Sequence, residues 1–149
     1  MDETNEEQKK VIQAPIDRKI IVNAPPGTGK TYTVSKKIEY IVQNDIVPLE
    51  QVLVICFSRS ALREIKERIT IPEIQKRKLT IRTIDSFCSW VIKEIEEEKY
   101  KKIFNETTYE KRIEYVLKLL KSNMDLQNSI KNLKHIIIDE VQDIVRNTS

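Results

Sequence analysis

Two short stretches, far apart in the chain, carry the residue types that handle a triphosphate. The first is Ala24-Pro25-Pro26-Gly27-Thr28-Gly29-Lys30-Thr31, a phosphate-loop pattern with alanine in the first glycine position. Small residues there let backbone N–H groups turn inward around phosphates, and a following helix presents its positive N-terminus to them. Lys30 would then reach the β- and γ-phosphates, and the Thr31 hydroxyl would ligate Mg²⁺. The chain has only 2 glycines, and both, Gly27 and Gly29, lie in this stretch. The second stretch is Ile136-Ile137-Ile138-Asp139-Glu140, an apolar run ending in adjacent carboxylates. Side chains alternate along a strand, so the two acids need not share one task. Asp139 would hold Mg²⁺, directly or through water, and Glu140 would polarise an attacking water. Each stretch also has a plain alternative: a Pro-Gly turn before an ordinary helix, and a strand running out into solvated acids.

For the two to meet, both must lie at the carboxyl ends of parallel strands, where open α/β sheets bind ligands. The element pattern supplies this. Lys19 to Ala24 (KIIVNA) is a β-branched run, and Lys30 to Val42 shows helical spacing through Val34, Ile38, Ile41 and Val42. Residues 4–14 form a capped helix, with Thr4 or Asn5 as cap and Glu7 three residues after Thr4. Gln51 to Phe57 (QVLVICF) is a second buried strand, and Ala61 to Ile69 a charged amphipathic helix that stops near Pro72. Leu79 to Arg82 is a third strand leading into a helix from about Ile84 to Glu98. Glu94 to Lys102 is a charge run, a solvated helix end and linker. Tyr109 to Leu120 and Leu126 to Leu133 are two more helices, and His135 to Asp139 is the fourth strand. Strands alternating with helices predict a parallel sheet covered on both faces.

Composition narrows the class. The 149 residues, 40% hydrophobic and 33% charged, suit one globular domain rather than a disordered chain. No apolar run reaches the roughly 20 residues of a membrane span, and the polar start (Asp2, Glu3, Glu6, Glu7) is unlike a secretory signal, so a cytoplasmic protein without a membrane partner is expected. Cys56 and Cys88 lack metal-ligand spacing and read as buried reduced thiols; His135 adds no zinc site. A net charge of +3 permits contact with nucleic acid without arguing for it.

Asp139-Glu140-Val141-Gln142-Asp143 resembles the DExQD box of the UvrD, Rep and PcrA branch of superfamily-one DNA helicases. Three further segments agree, in order. Asn5-Glu6-Glu7-Gln8 resembles the family's N-terminal glutamine motif, which implies that Gln8 reads the adenine edge. Val54 to Ile69 (VICFSRSALREIKERI) resembles the family's TFTNKAAREMKERI, and Thr83-Ile84-Asp85-Ser86 its T-F-H-S segment. The resemblance implies ATP and Mg²⁺ as cofactors, with Lys30, Glu140 and Gln142 catalytic and Thr31 and Asp139 at the metal. It places the nucleotide on Gln8 and on Ala24, Pro25, Pro26, Gly27, Thr28, Gly29, Lys30 and Thr31. Phe57, Ser58, Arg59 and Thr83 would line a track for single-stranded or partially duplex DNA. Cations and flat side chains suit such a track, and Arg59, Arg63, Arg82 and Trp90 offer some of each; the plain alternatives are an exposed helix face for the arginines and core packing for Trp90.

The fold implied is α/β: a phosphate-loop NTPase of RecA-like type, its parallel sheet flanked by helices. The N-terminal part of the ATP-binding domain would occupy 1–149, with a reduced helical insertion at about 87–133. Arg59 and Ser60 replace the family's usual asparagine and lysine, and Asp85 replaces a histidine; an acid there would repel phosphate. The chain ends ten residues after Asp139, so the sheet is expected to be incomplete at its C-terminal side and the second RecA-like domain absent. A shortened piece, an interrupted gene, or half of a split protein needing a second chain would each end so. The function implied is ATP-driven helicase or translocase activity on DNA, with very low activity for this chain alone. The competing readings are a non-catalytic nucleotide- or DNA-binding module and an unrelated phosphate-loop enzyme such as a nucleotide kinase.

Overall fold

Val52-Leu53-Val54-Ile55-Cys56 is an unbroken apolar run, and in the computed structural model it is the central strand β1 (Val52–Cys56), buried at every position. A strand buried on both faces needs no polar alternation, and parallel neighbours with helices above and below supply that environment. The structure describes residues 4–17, 29–95, 98, 102, 105 and 108–139. Within them β1 pairs in parallel with β2 (Thr80–Thr83) on one side and β3 (His135–Ile138) on the other, giving the order β2-β1-β3. Leu53 faces Thr80 across one ladder and Ile136 across the other. The ladder to β3 is bracketed by Lys134 N–H donating to Gln51 O and Asp139 N–H donating to Ile55 O, both at 2.8 Å.

Among the described residues the helices with defined bounds, in chain order, are α1 (Glu6–Ile12), α2 (Lys30–Gln43), α3 (Arg59–Arg68), α4 (Glu73–Lys76), α5 (Ile84–Ile95), α6 (Tyr109–Ser122) and α7 (Met124–Ile130). The alternation along β1 divides the core in two. Val52, Val54 and Cys56 pack with Ile38 and Ile41 of α2 and Ile65 of α3. Leu53 and Ile55 pack on the opposite face with Phe87, Cys88, Val91 and Ile92 of α5, Ile113 and Val116 of α6, and Leu126 of α7. Burying a side chain such as Ile38 or Ile65 contributes roughly 1.5–3 kcal/mol, so this one strand anchors both layers. The crossover from β1 to β2 runs through α3, and the return to β3 runs through α5–α7. Parallel strands require such crossovers, because a tight hairpin cannot join them.

Several boundaries differ from the sequence expectation, and local geometry explains them. The capping box of α1 is Asn5 with Gln8, not Thr4 with Glu7: Gln8 N–H donates to Asn5 Oδ1 and Asn5 N–H to Gln8 Oε1. Ser58 caps α3 through Ala61 N–H, so that helix starts at Arg59 rather than Ala61. It ends because Ile69 turns extended (ψ 121°), before Pro72 is reached. Pro72 instead precedes α4, a single turn without an apolar period to announce it. α7 begins two residues earlier than expected because Asn123 accepts from Leu126 N–H, and it ends at Ile130, leaving Leu133 outside. α5 ends at Ile95; beyond it, Glu98, Lys102 and Asn105 are helical and exposed.

Both cysteines are buried free thiols, as expected. The expectation of a sheet covered on both faces fails at β3, where Ile136 and Ile138 are 47% and 46% exposed and no described element covers them. The expected strand Lys19–Ala24, the loop residues Ala24 to Thr28, and Glu140 and Gln142 lie outside the described residues. Among the described residues no helix is long and apolar enough to cross a membrane.

Candidate functional site

Gly29 is where the phosphate-loop pattern enters the described structure. It is the N-cap residue of α2 and adopts φ 83°, ψ 24°, the left-handed region that an L side chain enters only at a cost. A Cβ on Gly29 would stand 2.8 Å from Gln8 Nε2, so the amide of the glutamine motif packs directly on this turn. Lys30 and Thr31 follow as the first residues of α2.

α1 is fastened to α2 at both ends. Thr4 Oγ1 and Tyr32 OH lie 2.9 Å apart near its start. At its C-terminal end Lys37 Nζ donates to the carbonyls of Ile12, at 2.9 Å, and Ala14. Lys37 is 5% exposed, and burial lowers its pKa from the ordinary lysine value. An ammonium sunk against a helix C-terminus satisfies carbonyls that the helix itself leaves open and complements its dipole.

Asp139 follows β3 and is 4% exposed. Its carboxylate reaches the end of β1 electrostatically: burial pushes the Cys56 thiol up to about 12, Asp139 adds to the shift and Lys66 opposes it. The direction of α2 decides whether Lys30 shares that end of the sheet. Thr70 N–H, just past the C-terminus of α3, donates to Glu39 Oε1 at 2.8 Å. α3 leaves the carboxyl end of β1 and returns to the amino end, so Glu39 marks the amino end. His135, first in β3, agrees: burial and then the charge of Lys37 lower its pKa, against a hydrogen bond to the backbone of Ile16. α2 therefore runs opposite to the strands, and Lys30, roughly 13 Å along the helix from Glu39 at 1.5 Å per residue, lies toward the carboxyl end. Lys30 Nζ and Asp139 Oδ2 are both sealed from solvent.

These residues fit a magnesium-bound phosphate chain. A sealed ammonium, a hydroxyl in the first turn of a helix and a sealed carboxylate are a hard-oxygen and cation set, as Mg²⁺ and phosphate require. At Gly29 the left-handed backbone disfavours a side chain, and a Cβ would have to displace the Gln8 amide.

A second feature lies along β2 and just past the end of β1. An open cavity of about 660 Å³ is lined by Phe57, Arg59, Leu62, Arg82, Thr83 and Asp85, among others. Beside it β2 passes into α5 without a loop, with Thr83 Oγ1 accepting from Ser86 N–H at 3.1 Å. Of the four residues expected on a nucleic-acid track, Phe57, Arg59 and Thr83 line this cavity and Ser58 does not. Ser58 spends its hydroxyl capping α3. Phe57 stands edge-on to Tyr109, ring centroids 6.3 Å apart. Arg82 lies over the ring of Trp90 at 5.8 Å, and Trp90 itself packs against Phe87 and the core. Arg63 is exposed on α3, outside the cavity lining.

Two side chains not singled out in the sequence shape these sites. Lys37 holds α1, and Arg112 of α6 pairs with Asp85 at 3.2 Å. Neither leaves a local signal, since the partners are 25 and 27 residues away.

The chain is 33% identical over 76 residues to a "Probable DNA helicase II homolog" of Mycoplasma pneumoniae, a stretch covering 50% of this chain and 11% of that protein. It is 30% identical over 79 residues to the like-named protein of Mycoplasma capricolum, covering 52% and 11%. To the "ATP-dependent DNA helicase srs2" of Schizosaccharomyces pombe it is 35% identical over 65 residues, covering 44% and 7%. The matched stretches thus span about a tenth of these relatives' own lengths. The family model of the UvrD/REP helicase N-terminal domain matches residues 4–104, and the chain belongs to that family.

Proposed function

We propose, starting from that membership, that this chain is the ATP-binding front portion of an ATP-dependent DNA helicase or translocase that hydrolyses ATP to move on single-stranded DNA. The observation that carries the reading is the sealing of Lys30 Nζ and Asp139 Oδ2 toward one end of a parallel sheet, beside a left-handed Gly29. In a RecA-like fold completed by the Lys19–Ala24 strand, the loop Ala24 to Gly29 would wrap the phosphates with backbone N–H groups. The Lys30 ammonium would offset the charge that gathers on the β- and γ-phosphate oxygens. Thr31 and Asp139 would hold Mg²⁺, which supplies neutralisation of that same charge when bound. Glu140 would orient the attacking water for in-line displacement, with Gln142 beside it, and Gln8 would donate from Nε2 to the adenine edge.

Phe57, Arg59 and Thr83 would meet single-stranded DNA in the cavity along β2 and just past the end of β1, one side chain offering a face or edge, one a charge and one a hydroxyl. An arginine that stabilises the transition state would come from a second domain or a second chain, and such a residue is worth about 10³–10⁵ in rate. The chain alone is therefore expected to bind nucleotide and to turn it over very slowly. The test is binding of a fluorescent ATP analogue and ATPase rate, each with and without oligo-dT, for the wild type and Lys30→Ala. Binding lost in Lys30→Ala supports the reading. Binding that survives the substitution overturns it. Nucleotide binding with no turnover, even after addition of a second RecA-like domain, selects a non-catalytic module instead.

A further inference from the structure

We propose that Arg112 conditions the cavity for a phosphodiester backbone by cancelling the charge of Asp85, acting as a positioning residue that itself stays outside the cavity lining. The inference rests on the single-stranded DNA reading of that cavity and deepens it. The charged side chains of the lining are Arg59, Arg82 and Asp85. Arg82 is held over Trp90, its Nη1 donating to Ser86 Oγ at 3.4 Å. Asp85 is 46% exposed, so its carboxylate stands at the cavity wall where phosphate oxygens would pass. Left alone it would oppose the two arginines and repel an anionic strand.

Arg112 changes that. Its guanidinium, 15% exposed, donates from Nη2 to Asp85 Oδ1 at 3.2 Å. Both charges register at the same buried neighbour: burial pushes the Cys88 thiol up to about 12, Asp85 adds to the shift and Arg112 opposes it. Arg112 is not among the residues that line the cavity, so its effect on a bound strand passes through Asp85. It is also placed by more than this one bond. Tyr109, three residues earlier on the same face of α6, stands edge-on to Phe57. One turn of α6 thereby touches Phe57, the residue after β1, and Asp85, the second residue after β2, both in the cavity lining. The segment between β2 and β3, which carries no phosphate-handling motif, sets both the ring position and the local charge of the track.

The test is oligo-dT binding by fluorescence anisotropy across a salt series, for the wild type, R112Q, D85N, the double variant and R112K. Each phosphate neutralised on a single strand contributes about 0.7 to the slope of log affinity against log salt. R112Q is expected to weaken binding several-fold at low salt and to flatten that slope by about 0.7, because an uncovered carboxylate offsets one cation. The double variant, with neither charge, should return to within about two-fold of wild type, and R112K, which keeps the cation, should keep the slope. Thermal melts of each variant check the fold, and R112K carries the test where R112Q melts early. A purely structural role for Arg112 would give an affinity loss that D85N does not relieve, at an unchanged slope, and that outcome overturns the inference. So does R112Q binding like wild type. A wild-type chain with no salt-dependent binding to oligo-dT sinks the DNA reading itself, a distinct failure visible before any variant is compared.

Discussion

Lys37→Met would remove the buried cation that joins the glutamine-motif helix to the helix after the phosphate loop. Methionine has a similar length and no charge, so the change isolates the ammonium from the packing of its stem. The wild-type amine donates to the Ile12 and Ala14 carbonyls and is 5% exposed. Hydrogen bonds to a charged group contribute roughly 1.5–3 kcal/mol each. Against that stands the cost of desolvating the ammonium, the same burial that lowers its pKa and that methionine escapes. With part of the gain returned in this way, a net loss of about 2–4 kcal/mol is expected. At roughly 2–4 °C per kcal/mol for a domain of this size, Tm should fall by about 4–16 °C. Circular dichroism melts and urea titrations measure it directly. The functional consequence is specific: α1 loses its hold at the Ile12 end, so Gln8 should no longer be kept against Gly29, and affinity for adenine nucleotides should drop more than affinity for inorganic triphosphate. A Tm within a degree or two of wild type would refute the reasoning, because it would mean that the two carbonyls lose nothing when the amine is gone.

Two further outcomes follow from the same corner of the fold. Gly29→Ala places an L residue at φ 83° and a Cβ at 2.8 Å from Gln8 Nε2, so it should cost about 1–2 kcal/mol of stability and displace the glutamine amide, read as loss of binding to a fluorescent ATP analogue. His135, whose pKa is lowered by burial and by Lys37 from an ordinary 6.5, is neutral in the fold at a pH where the unfolded chain already binds a proton. Its stability contribution is therefore whole above 6.5 and is lost as pH falls through the lower folded value. His135→Gln should flatten the fall of Tm on acidification between 6.5 and that lower folded value, and an unchanged slope would remove His135 from the account.

The sequence by itself determined which segments become strands and helices in most of the described chain, because burial periodicity is local. Val52–Cys56 is apolar at every position and became the doubly buried strand; Ile38 and Ile41 recur at helical spacing and became part of the core beneath it. It also marked Gly29, Lys30 and Asp139 for chemistry, since a phosphate loop and an acidic strand end are written in neighbouring residues. What it left undecided were the joints. Asn5 rather than Thr4 caps α1, Ser58 starts α3 two residues early, and Pro72 opens a turn instead of closing a helix, because caps depend on where the backbone bends. Only the tertiary structure decided that β2 and β3 flank β1, and with that order which distant side chains meet. Lys37 reaches Ile12 and Arg112 reaches Asp85 because the packing of α1 on α2 and of α6 on α5 closes long stretches of chain. Electrostatic pairing acts through space, and spacing along the chain carries no record of it.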